Sequence, residues 1–195
     1  IYIRTSNSNK VELNSLNSNK YGIRIQDSSH TILNDNRINS NTDFGLLVEA
    51  DADSELNFSI NLNNTVDGKY LYYIENTQNE IYDNWNNVSM FIIYNSTNIT
   101  LKNLDFNAEN SPSIILHNTS NSTIQDTTLL GGSITYASPP KNGALYQFGG
   151  TNNTYDNLNI SQNSNTGIGM ILRGDNNTIK NSYFRDFDHG VNSYY

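Results

Sequence analysis

The chain has 195 residues, 35% of them hydrophobic and 15% charged, with a net charge of −8 and no cysteine. Those figures exclude a disulfide framework and a thiolate metal site, and the eleven Lys and Arg never cluster as a nucleic-acid groove requires. No apolar run approaches the roughly eighteen residues of a membrane span, and Asn alone fills 36 positions, too polar for an ordinary core yet beside too much Ile, Leu, Tyr and Phe for disorder.

In chain order, Val11 and Leu16 are the first of a recurring pair of apolar residues five apart, and a short strand "YGIRI" (21–25) follows. Leu33 with Ile38, then "FGLLV" (44–48), repeat both landmarks about one period later. Leu56 fits a third occurrence, after the acidic run "EADADSE". One loop is read as inserted near 62–90, where "ENTQNEIYDNWNNVS" lies between the strand sequences "YLYYI" and "MFIIY". The pattern resumes with Leu101 and Phe106, "SPSIIL" (111–116), Ile124 and Leu129, then the loop "SITYASPPKN" and "NGALYQF" (142–148). It closes with Tyr155 and Ile160, "TGIGMIL" (166–172), Ile179 and Phe184, and "HGVNSY" (189–194).

The third position of the six complete windows is Leu13, Asp35, Asn103, Asp126, Asn157 and Asn181. Asn and Asp tolerate left-handed bends and bond to nearby backbone, so five of the six windows carry a bend residue. The apolar runs span three to six residues and are β-branched or aromatic, which excludes amphipathic helical repeats, and the leucine-rich frame is missing. The prediction is an all-β chain, one domain over 1–195, forming a single-stranded parallel β-helix of about 22–24 residues per turn. Stacked apolar positions would build the core and stacked Asn an amide ladder. Because "IYIRT" and "VNSYY" read as strand, the chain is expected to be part of a longer one. Its ends would be covered by further turns, another domain or copies of itself end to end.

Four groups of residues invite chemistry. In "RDFDHG", Arg185 precedes Asp186, Asp188 and His189; two carboxylates two apart share a strand face and suit glycoside chemistry. Glu49, Asp51, Asp53 and Glu55 alternate and offer either a solvated acidic edge or a calcium site, the only cofactor the sequence suggests. Tyr82 and Trp85, among Asn and Asp, supply what a sugar ring needs, an apolar face and polar neighbours, or else pack the loop onto the coil. Asn-x-Ser/Thr sequons occur at Asn57, Asn63, Asn87, Asn95, Asn98, Asn118, Asn121, Asn152, Asn159 and Asn176. So polar a chain also makes them by chance. The "RGD" at Arg173–Asp175 reads as a bend.

The repeat "NNTIKNSYF…GVNSY" and the segment "NNTVDGKYLYYIEN" (63–76), followed by "NSTNITLKNLDF", resemble the NosD-like, carbohydrate-binding and sugar-hydrolase type of right-handed parallel β-helix proteins, as on methanogen cell surfaces. The resemblance implies a right-handed coil and an extracellular or cell-surface place. It does not carry copper delivery, because the chain has no Cys, two Met and three scattered His where soft ligands would cluster. The expected function is non-enzymatic: a rigid adhesin, stalk, or envelope, S-layer or sheath glycoprotein that meets other surface proteins, with polysaccharide as an optional ligand. A polysaccharide lyase or glycoside hydrolase is the alternative.

Overall fold

The computed structural model describes residues 1–49, 57–106, 112–131, 143–162 and 167–194. It is a β-solenoid of about seven turns, with no helix among the described residues. Strands β1 (Tyr2–Arg4), β2 (Lys10–Glu12) and β3 (Ser15–Asn17) make the first turn. The second turn is β4 (Tyr21–Gln26), β5 (Thr31–Asn34) and β6 (Arg37–Asn39), and the third is β7 (Phe44–Glu49), β8 (Phe58–Ile60) and β9 (Thr65–Val66). From there β10 (Lys69–Glu75), β11 (Ile81–Asp83), β12 (Val88–Tyr94), β13 (Thr100–Lys102) and β14 (Asp105–Phe106) continue the stack. It rises through β15 (Ile114–His117), β16 (Thr123–Gly131), β17 (Gly143–Phe148) and β18 (Thr154–Gln162). It reaches β19 (Ile168–Arg173), β20 (Thr178–Lys180), β21 (Tyr183–Arg185) and β22 (His189–Tyr194).

The five-residue pairs are two core columns. Leu101, Ile124, Tyr155 and Ile179 stand in register, as do Phe106, Leu129, Ile160 and Phe184. Tyr82 heads the first column, paired with Leu101. The third residue of every window has a positive φ: 56° at Leu13, 55° at Asp35, 52° at Asn103, 50° at Asp126, 51° at Asn157 and 53° at Asn181. Side-chain amides then link successive bends. Asn103 Nδ2 donates to Asp83 (2.8 Å), Asn157 Nδ2 to Asp126 (2.8 Å) and Asn181 Nδ2 to Asp156 (2.9 Å). A buried amide ladder serves the first turns, Asn14 donating to Asn36 (3.0 Å) and Asn36 to Asn64 (2.9 Å). Each such bond contributes a net ~1 kcal/mol, and a corner left without one would bury an unsatisfied group.

The stretch near 62–90, expected as an inserted loop, does interrupt the coil, but with strands. Val66 and Lys69 pair across Asp67–Gly68, so β10 runs antiparallel to β9. Asp-Gly is the two-residue loop that fits a hairpin, because both central residues take positive φ; here φ is 48° and 76°. The nine-stranded sheet β22-β19-β17-β15-β12-β10-β9-β6-β3 passes unbroken through this reversal. Every other pairing within it is parallel.

The core changes sides at the same place. Ile23, Ile38, Leu46 and Val66 fill the first coil, and their cluster continues onto Leu71, Met90, Ile92, Ile115, Tyr146 and Ile171. The alternate residues of those later strands, Tyr72, Phe91, Ile93, Ile114 and Leu145, pack inside the second coil with Leu101 and Ile124. The shared sheet thus buries one coil's core on one face and the other's on the opposite face. Reversing strand direction while moving the core across the sheet leaves the hand of winding unchanged.

Candidate functional site

The switch leaves a recess. The outer face of the first coil's sheet becomes, past the hairpin, the inner face of the second coil. Ser15, Arg37 and Thr65 stand side by side on that face, and Thr65 pairs in turn with Tyr70 of β10. These four residues, with Asn14 and a ridge of bend residues, line a cleft of about 610 Å³. Its size suits a small ligand.

Tyr70, the aromatic residue that lines the cleft, backs onto a cluster of rings where the second coil begins. Tyr72 packs on Phe91 at 5.2 Å and on Trp85 at 4.9 Å, while Tyr82 meets Trp85 edge-on at 5.0 Å. Tyr70 stands edge-on to Tyr72 at 6.4 Å. The four rings Tyr72, Tyr82, Trp85 and Phe91 close the lower end of the second core, but Tyr70 remains 41% exposed and Trp85 37%. Burial pushes the Tyr72 phenol up, and burial followed by the charge of Glu80 does the same at Tyr82. The backbone of Tyr70 is fixed by its N–H to Asn87 O (2.9 Å) and by Ser89 Oγ donating to its carbonyl (2.9 Å).

The side ridge is Leu13, Asp35 and Asn63. Asn63 Nδ2 donates to one Asp35 oxygen at 2.7 Å and Asn61 Nδ2 to the other at 3.4 Å, so that carboxylate is already engaged. Leu13 is 80% exposed despite its left-handed backbone. The other five windows put Asn or Asp at this position, where the conformation is cheap. An apolar side chain held strained and in solvent is an outlier that points to function.

Of the residues singled out in sequence, neither Tyr82 nor Trp85 lines the cleft: Tyr82 is a strand residue in the core column, Trp85 packs against it and against Tyr72, and of these rings only Tyr72 touches the cleft residue Tyr70. Asp186 and Asp188 do not share a strand face. Asp186 occupies a left-handed bend (φ 67°) after β21, beside Arg185 at 3.3 Å. Asp188 precedes β22 and accepts from Gly167 N at 3.2 Å; His189 opens that strand. The alternation that makes a carboxylate pair is broken by the bend between them. Glu49 is 3% exposed and pairs with Arg24 Nε at 2.6 Å, while Asp51, Asp53 and Glu55 lie outside the described residues. Among the described residues no group of three or more acidic or imidazole side chains converges as a metal site.

Comparison with protein-family models, with curated proteins and with solved structures finds no match. Function therefore rests on the geometry of this chain.

All ten sequon asparagines are exposed. Several belong to ladders: Asn118 donates to Asn95 (3.1 Å), Asn98 to Asn79 (2.7 Å) and Asn152 to Asn121 (3.3 Å). The cleft itself was not legible as a motif. Its parts come from four strands and meet only through the register, and the one local signal is Leu13 standing where its counterparts are Asn or Asp.

Proposed function

We propose that this chain is a rigid, non-enzymatic glycan-binding solenoid that works outside the cell or on its surface. The observation that carries the reading is the cleft at the coil junction. A platform of exposed aromatic edge and apolar Leu13 faces amides and hydroxyls of Asn14, Asn63, Ser15 and Thr65, the mixture a sugar ring requires. Saturated backbone pairing on either side makes the cleft preformed, which lowers the ordering cost of binding. The resemblance to NosD-like surface proteins and the ten exposed sequons support the extracellular placement, and a stalk or envelope role fits a stack of turns that contact only their neighbours.

Hydrolysis or elimination at Asp186, Asp188 and His189 is the weaker reading, because the two carboxylates are held by separate bends. The test is an oligosaccharide array probed with the intact chain, followed by titration of the best ligand. Tyr70→Ala is expected to weaken that ligand about tenfold or more while leaving far-ultraviolet circular dichroism unchanged. Binding that survives both Tyr70→Ala and Leu13→Asn would remove the cleft from the function.

A further inference from the structure

We infer that the junction cleft selects an acidic saccharide, a chain of uronic acid residues whose carboxylate is taken by Arg37. This rests on the glycan-binding reading above and adds the ligand's charge.

Arg37 is the centre of the cleft floor, between Ser15 and Thr65. Its main chain is spoken for, its N–H bonding to Asn14 O at 2.8 Å. Its guanidinium is exposed and, among the described residues, takes part in no hydrogen bond, ion pair or ring contact. Arg24, another arginine on a coil's outer face, shows the contrast: it holds Glu49 at 2.6 Å and lies over the Tyr2 ring at 4.9 Å. Arg37 has a carboxylate two residues away on its own coil, Asp35, but that group accepts from Asn63 and Asn61 instead. The amides each take an acceptor site of that carboxylate, and the cation is left without an ion-pair partner among the described residues in a chain of net charge −8.

A guanidinium is planar, permanently charged and matched to two oxygens of a carboxylate. From Arg37 to Tyr70 are two strand spacings, ~10 Å, the reach of a disaccharide. A uronate on Arg37 would therefore place its neighbouring ring against Tyr70. The hydroxyls would meet Asn14, Asn63 and Thr65. A neutral sugar could use the aromatic edge and the amides but would leave Arg37 idle, and a peptide acid would lack the ring for Tyr70. The site calls for both features at once.

The experiment titrates the intact chain with tetramers of galacturonate and of mannuronate, with their methyl esters, and with a neutral tetramer of the same size, by calorimetry at two salt concentrations. At least one free acid is expected to bind, its ester about tenfold more weakly, with the difference shrinking as salt is raised because the ion pair is exposed. Arg37→Gln is expected to bring the free acid down to the level of the ester without altering thermal unfolding, since no partner in the fold is lost. Arg37→Lys should recover only part of the affinity, because one ammonium cannot match both oxygens. Equal binding of acid, ester and neutral tetramers, indifferent to Arg37→Gln but weakened by Tyr70→Leu, would overturn the acidic preference and keep the glycan cleft. Absence of binding by every tetramer would overturn both.

Discussion

Leu13 is where local conformation and surface chemistry conflict most openly. A left-handed backbone costs a branched apolar residue ~1 kcal/mol or more, and Asn far less. Leu13→Asn is therefore expected to raise the urea midpoint by the equivalent of ~1 kcal/mol. Binding at the cleft should fall roughly fivefold, the worth of one lost apolar contact; a variant gaining stability and keeping full affinity would show that Leu13 has no part in the site. The inner columns follow the opposite logic. Ile124 is buried between Leu101 and Tyr155, so Ile124→Asp places an unpaired charge there at about 3–5 kcal/mol and should abolish cooperative unfolding. Acidity acts at the bends. The amide of Asn181 and then Lys180 hold the Asp156 carboxyl below its usual range, and Asn103 and then Lys102 do so at Asp83. A depressed folded pKa contributes stability above the unfolded value, near pH 4, and loses it as pH falls through the folded one. Stability should accordingly drop on acidification below about pH 4, with a shallower slope in Asp156→Asn, as chemical denaturation at stepped pH would record.

At the scale of elements, the windows were readable because each repeats three constraints: an inward residue, a left-handed bend and a second inward residue. That is enough to align Leu101 with Ile124 and Phe106 with Leu129 before any coordinates. The reversal at Asp67–Gly68 was harder to read, although Asp-Gly between apolar runs is a hairpin signal. It is hidden by the reading of the stretch near 62–90 as one inserted loop. A second sign was also present: "YLYYI" and "MFIIY" are apolar at consecutive positions, as strands buried on both faces must be, whereas "KVE" and "TLK" alternate. Gly68 has open space around its missing Cβ, so Gly68→Val would cost only backbone strain, about 1–2 kcal/mol. The loss should be visible in thermal denaturation without a change of fold. Gly22 differs, since a Cβ there would come within 2.4 Å of Gly45 O and 2.5 Å of Ile38. The turns are stacked too closely for any side chain at that point.

For the whole molecule, stability is a sum over adjacent turns. Hydrogen exchange is expected to be slowest in β12, β15 and β17, which have a partner on both edges and a buried residue at nearly every position. The outermost strands β3 and β22, each with one partner among the described residues, should exchange sooner. The nine-stranded sheet also bears on a question of parity. In a strand buried on one side, a slip of one residue is punished because it turns apolar groups to water. From β10 to β19 that punishment is weak, since Phe91 and Ile92, or Leu145 and Tyr146, are apolar on either side. Along β10, what decides which of the two alternating sets belongs to which core is the length of the Asp67–Gly68 loop, two residues, because Lys69 and Tyr70 are held opposite Val66 and Thr65. Insertion of a single residue there exchanges odd for even along the next strand. Leu71, packed in the first core, and Tyr72, packed against the second, would then each face the wrong coil, so a loop of two residues is what keeps the two cores apart.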